Sequence, residues 1–114
     1  MNIEFDDRDG VLVATPRLRR LDAIAAADFR RVMIEQCSGR PLVVVCVADV
    51  QFVDSSGLSA IVGVLKCLAK GGSIRLVDVS DNLQRLLRLT RLHDVFGAYP
   101  SVTAAVGAFG AGAA

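Results

Sequence analysis

The sequence contains no tryptophan, one tyrosine and one histidine, and each shortage removes a class of function. Sparse aromatic rings leave little with which to stack nucleic-acid bases. A formal net charge of +1 supplies no field to draw in nucleic acid or an anionic membrane. With His93 alone, a metal site would depend on several carboxylates or thiolates, and neither C-x-x-C nor H-x-x-x-H occurs. The same histidine would have to serve any Ser-His-Asp arrangement, yet no G-x-S-x-G accompanies it. A solvated or capping His93 is expected. No Walker pattern is present, and Gly71-Gly72-Ser73 reads as a turn rather than a phosphate loop. No apolar run approaches the roughly 20 residues that span a bilayer, so membrane insertion is not expected.

Cysteine is also scarce. Cys37, Cys46 and Cys67 are odd in number and lack paired spacing. Cys46 falls in a strand-like run and Cys67 on a helix-like one, which fits buried, reduced thiols in a reducing compartment. The first ten residues carry Glu4, Asp6, Asp7 and Asp9, unlike the basic-then-apolar pattern of a secretory signal. A cytoplasmic setting is expected.

What is present suits one globular domain. The length of 114 residues is ordinary for a single domain, and 53% hydrophobic against 22% charged is the reverse of a disordered composition. Strand-like and helix-like blocks alternate. Ile3-Glu4-Phe5 and Val11 to Ala14, separated by an acidic turn ending in Gly10, predict an opening hairpin. Asp22 can cap a helix running to about Cys37, with Ile24, Ala25, Phe29, Val32 and Met33 at helical spacing. Leu42 to Val47 is continuous and β-branched, as a strand covered on both faces should be.

Asp54-Ser55-Ser56-Gly57 then opens a second helix whose apolar face is Leu58, Ile61, Val62 and Leu65. Ile74 to Val77 predicts a further strand, and Ser80 caps a helix bearing Leu83, Leu86 and Leu87. Val95-Phe96 suggests a short last strand and Ser101 to Val106 a last helix. Residues 107–114, rich in Gly and Ala, are expected to be a flexible tail after a domain spanning 1–106. The fold class expected is α/β: a mixed four- to five-stranded sheet with an N-terminal hairpin and about four helices packed on it. In such sheets function gathers at the carboxyl ends of the strands, where the Asp54 element sits.

That element has two readings. As a capping turn, Asp or Ser accepts hydrogen bonds from free backbone N–H groups and Gly permits close packing. As a modification site, it places a serine where unpaired N–H groups and a partial positive charge can accommodate a phosphate. The mark adds about −1.5 to −2 charges. Its interaction with its own helix is worth roughly 0.3–1 kcal/mol in favour. Against a partner carboxylate about 6 Å away, at an effective dielectric near 20, each unit charge costs roughly 3 kcal/mol. The fold would survive modification while a complex would separate. Either Ser55 or Ser56 could be the acceptor. Two basic groups, Arg17/Arg19/Arg20 and Arg85/Arg88/Arg91, have no assigned role, although the second suits a solvent face opposite the Leu stripe.

The run Phe52-Val53-Asp54-Ser55-Ser56-Gly57-Leu58 resembles the most diagnostic segment of the STAS family, specifically the anti-sigma factor antagonists of bacterial partner-switching systems. Arg20-Leu21-Asp22 resembles the family's start of the first helix. Gly71-Gly72, Ile74 to Val77, Val79-Ser80, Leu83 to Leu92, Val95-Phe96 and Ser101 to Ala105 continue the match in order along nearly the whole chain. The resemblance implies a phosphorylatable serine directly after the aspartate, here Ser55. It implies a partner that is both anti-sigma factor and serine kinase, of the ATP-binding type related to histidine kinases, and a metal-dependent serine phosphatase that reverses the mark. Unphosphorylated protein binds the kinase; phosphorylated protein releases it. ATP and Mg²⁺ then belong to the partner, and this chain carries no cofactor and is not an enzyme.

On the same resemblance, Asp22 and Asp54 form an acidic rim for the kinase, while Ser56, Gly57 and Leu58 present the helix start to it. Gly57 would let the two surfaces approach closely, and the free chain is expected to be a monomer. The chain departs from the family where Arg19, Ala25 and Arg91 stand: Gly is frequent at the first and third positions and a small polar residue at the second. The alternative is a STAS accessory subunit of an ABC-type lipid or anion transport system, binding its ATPase without phosphorylation. An aspartate-phosphorylated receiver domain would need a late lysine, and residues 71–114 contain none.

Overall fold

The computed structural model describes residues 1–113, with side chains of the last helix described as far as Phe109. Strands β1 (Ile3–Arg8) and β2 (Val11–Pro16) form the expected hairpin, paired from Ile3 with Pro16 to Arg8 with Val11. Asp9 and Gly10 between them have φ of 56° and 83°, the two positive values that a two-residue turn matched to strand twist requires. After a short β3 (Arg20–Leu21) come α1 (Ala23–Cys37), β4 (Leu42–Cys46), β5 (Phe52–Val53) and α2 (Ser55–Cys67). The chain then forms β6 (Ser73–Val77), α3 (Asp81–Leu89), β7 (Gly97–Tyr99) and α4 (Val102–Ala113).

Five strands make one sheet in the order β1-β2-β4-β6-β7, antiparallel only in the hairpin and parallel thereafter. Alternation along β4 explains its unbroken apolar run. Val43 and Val45 face one core with Leu12, Ala14, Ile74 and Leu76, beneath Phe29 and Met33 of α1 and Ile61 and Val64 of α2. Val44 faces the opposite side with Val11, Val13 and Val77, beneath Ala105 and Phe109 of α4. Such a strand is apolar at every position because both faces are covered.

Three expectations shift. The last strand is Gly97–Tyr99 rather than Val95-Phe96. Val95 and Phe96 lie in a turn whose N–H groups both donate to the Leu92 carbonyl, while the Phe96 ring is buried in the helix-side core. Its apolar character reflects burial, and pairing with β6 falls to the next three residues.

The last helix runs past residue 106 to Ala113, into the segment expected to be a tail. Phe109 gives the chain reason to continue, since its ring is buried on the sheet and the Arg75 guanidinium lies 4.7 Å from its centroid. Residue 114 lies outside the described residues.

Ile24, expected on the buried stripe of α1, is 92% exposed. The stripe is Phe29, Met33 and Cys37. Ile24 stands five residues before Phe29, about 140° round the helix at roughly 100° per residue.

Burial at the base of α1 pushes the Cys37 thiol up to about 12, with the neighbouring Cys67 adding to the shift. All three cysteines are free.

Candidate functional site

Two helices begin side by side. Strands β3 and β5 pair in parallel, Arg20 with Phe52 and Leu21 with Val53, so α1 and α2 start from the same end of a two-stranded ladder. The strands are too short for propensity to define them, and the pairing is what aligns the helix starts. Asp22 caps α1, accepting hydrogen bonds from the N–H groups of Ile24 at 3.2 Å and Ala25 at 3.3 Å. The Ala25 N–H, aided by Arg20 and Ile24, holds the Asp22 carboxyl below the ordinary aspartate range against its own desolvation.

Asp54 caps α2 and also reaches α1. Its Oδ1 accepts from Gly57 N–H at 2.9 Å and its Oδ2 from Ala23 N–H at 3.3 Å. The Asp54 N–H donates in turn to the Leu21 carbonyl. One carboxylate therefore ties together both helix starts, which the sequence pattern could suggest only for its own helix.

Ser55 is the first residue of α2 and is exposed; Ser56 follows, partly covered. Among the described residues no hydrogen bond takes the N–H of either serine, as expected for the first turn of a helix. An anion carried on Ser55 would meet free donors and the positive ends of two adjacent helices.

Gly57 and Leu58, expected to meet a partner, face inward. A Cβ at Gly57 would collide with the Leu21 carbonyl oxygen and lie 2.9 Å from Val53 Cγ1. A close approach that needs glycine is thus already present between α2 and β3 inside this chain. Leu58 is 4% exposed and belongs to the helix-side core. Asp22, Asp54, Ser55 and Ser56 are brought together at the surface; Gly57 and Leu58 anchor them from beneath.

Asn82 is the residue that sequence reasoning missed. Its Oδ1 accepts from Val53 N–H at 2.7 Å, from the first turn of α3, immediately before Asp54. Only the signal of an amide in a helix's first turn was available, and such residues usually point to solvent or to their own backbone.

Two arginines of the first basic group are engaged by other side chains of this chain. Arg17 bridges Glu4 at 2.8 Å and Asp49 at 3.3 Å. Arg20 covers the Phe52 ring at 4.5 Å and reaches Asp22 at 3.4 Å. His93 is exposed beside Asp94. Among the described residues no group of three or more His, Cys, Asp or Glu side chains is placed to hold a metal ion, and no helix is long and apolar enough to cross a membrane.

Known proteins share both sequence and architecture with this chain. It is 33% identical over 103 residues, 87% of its length and 86% of the relative's, to the anti-sigma F factor antagonist of Paenibacillus polymyxa. It is likewise 33% identical over 76 residues, 66% of its length and 70% of the relative's, to the anti-sigma-B factor antagonist of Bacillus subtilis (strain 168). An anti-sigma factor antagonist from Mycobacterium paratuberculosis shares the fold, with a TM-score of 0.79 at 24% identity over 94% of this chain and 92% of that one. The family profile of the STAS domain matches residues 2–105. A hairpin, a parallel sheet and two helices starting at a shared Asp-Ser-Ser-Gly corner are therefore those of a family member: this chain belongs to the STAS domain family.

Proposed function

We propose that this chain is an anti-sigma factor antagonist whose binding to an anti-sigma factor is switched by phosphorylation of Ser55. The observation that carries the reading is the placement of Ser55: an exposed hydroxyl on the first residue of α2, at paired helix starts with free N–H donors. Both relatives at 33% identity are antagonists of anti-sigma factors by name, which supports the same class of partner here.

The chemistry is the one that the family resemblance implies, and the site's geometry is compatible with it. The partner is a serine kinase of the histidine-kinase-like ATPase type, and it supplies ATP and Mg²⁺. Transfer forms a bond from Ser55 Oγ to the γ-phosphorus, releases ADP, and loses the hydroxyl proton to a base on the partner. Asp22, Asp54 and Ser56 form the polar face that the kinase meets, and Ile24, 92% exposed on the neighbouring first turn, adds an apolar contact. Both carboxylates are held by backbone donors, so the face is rigid before the partner arrives. A phosphate at Ser55 is tolerated by the host helix, at roughly 0.3–1 kcal/mol in favour. Opposed to a partner carboxylate it costs roughly 3 kcal/mol per unit charge, and the complex dissociates. A metal-dependent serine phosphatase resets the switch.

Ser55→Ala is expected to bind the kinase constitutively and resist labelling by ATP, while Ser55→Asp binds at least tenfold more weakly. Titration of both variants against the kinase, with phosphosite mapping of the wild type, checks this. Equal affinities, or a phosphate found on Ser56 alone, would remove Ser55 from its role.

A further inference from the structure

Beyond the helix starts, α1, α2 and the residues that close α3 (Thr90 and Leu92) line an open groove of about 610 Å³ that includes Ser55. Its floor is small or apolar, including Ala27, Ser59, Val62 and Gly63, and no carboxylate lines it. Two cations do. Arg30 lies across Gly63, where a Cβ would come within 2.5 Å of Arg30 Nε, and Lys66 closes the far end. Both side chains are exposed, and neither forms an ion pair among the described residues. The adjacent Arg31, by contrast, is occupied by Asp28 and Glu35 on the outer face of α1.

We infer that this groove docks an acidic amphipathic helix of the anti-sigma partner, its carboxylates seated against Arg30 and Lys66; the inference rests on the antagonist reading above. Charge selects the occupant, since an apolar trough with two cations and no anion is complementary to a segment with apolar and acidic faces. Geometry selects a helix. The groove is lined by helical residues and by Thr90 and Leu92 at the end of α3, offers no strand edge for β-augmentation, and has small floor residues that let another helix approach closely. Ser55 and Lys66 stand eleven residues apart, about 16 Å along a helix axis, enough for three turns.

Gly63, beneath Arg30, is eight residues beyond Ser55, about 12 Å along the axis and past the Debye length of roughly 8 Å at physiological salt. A phosphate on Ser55 would stand at the groove's mouth and act on the end of the docked segment that comes within that distance of it.

The chain has two lysines, Lys66 and Lys70, which allows a direct test. The probe is the kinase captured by Ser55→Ala bait, purified and mixed with the full unphosphorylated chain. A zero-length carbodiimide condenses a lysine amine with a partner carboxylate to an amide, the carbodiimide taking up the lost water as a urea. Cross-links from Lys66 to Asp or Glu of one partner helix are expected. Cross-links from Lys70 alone, or none from Lys66, would overturn the assignment.

In parallel, Arg30→Gln/Lys66→Gln and the single variant Lys66→Glu should slow association about tenfold at 50 mM salt and flatten its salt dependence, with melting temperatures lowered by only a few degrees, since Lys66 also lies in the last turn of α2. Unaltered rates in these variants, while Ser55→Asp still fails to bind, would overturn the groove and leave the switch standing. Equal binding of Ser55→Ala and Ser55→Asp would instead remove the switch, whatever the groove variants do.

Discussion

At Gly57 a single methyl group decides whether α2 can start where it does. The Cβ of alanine would be driven into the Leu21 carbonyl, which is itself hydrogen-bonded to Asp54 N–H and cannot retreat freely. Overpacking of this kind costs about 3 kcal/mol, so Gly57→Ala is expected to lower the urea midpoint markedly, even with no partner present. A glycine serving only an intermolecular contact would leave the free protein's stability unchanged. Arg91 is the converse case. It holds φ of 59° just beyond Thr90, the C-cap of α3, where glycine avoids the penalty of roughly 1–2 kcal/mol that side chains incur in left-handed backbone. Glycine also frees the unfolded chain, offsetting about 0.4–1 kcal/mol. Arg91→Gly should therefore raise stability by about 0.5 kcal/mol, read from chemical denaturation. The glycine that the family resemblance implies at this position would suit this backbone geometry.

Among the elements, α3 acts on the site without presenting a residue to it. Asn82 satisfies the N–H of Val53, and Val53 leads directly into Asp54 and the start of α2. Removing the amide leaves that donor unpaired beside a 1% exposed side chain, at a cost of about 1–3 kcal/mol. Asn82→Ala is expected to destabilise by that amount and to slow phosphorylation of Ser55 at saturating kinase, because the acceptor helix loses one of its tethers. A merely structural role would move stability alone, so measuring both quantities separates the two. The opposite face of the sheet is held differently. Arg75 donates to Tyr99 Oη at 2.6 Å and lies under Phe109, so α4, built mainly of alanine and glycine, is clamped by one aromatic ring on a guanidinium. Alanine and glycine carry no periodic signal, which is why the second half of the helix, from residue 107, reads as a tail in sequence.

Over the whole molecule, charge pairs link parts distant in the chain. Asp7 in β1 accepts from Arg40 before β4 at 2.6 Å, and this bond, more than the pair's charge attraction, holds the Asp7 carboxyl below its ordinary 3.8. Asp22 is lowered from the same value, chiefly by the Ala25 N–H. A folded-state pKa below the unfolded one contributes stability that is complete above about 3.8 and is lost as pH falls through the lower folded values. The urea midpoint should therefore decline below about pH 4, and Asp7→Asn/Asp22→Asn should flatten that decline; an unchanged pH profile would show that neither carboxylate is coupled to folding.

The residues themselves determined a good deal: the hairpin turn at Asp9-Gly10, the doubly covered strand at Leu42 to Val47, and the caps at Asp22, Asp54 and Ser80. Each depends on interactions within a few residues, or on a burial pattern of fixed period. The tertiary structure alone decided that Asp54 also caps α1, that Gly57 faces Leu21, that Asn82 tethers Val53, and that Ile24 is left in solvent. Those contacts join residues about 30 or more apart, or depend on which helix face meets the sheet, and no local propensity encodes which groups the folding of β3 against β5 will bring within hydrogen-bonding reach.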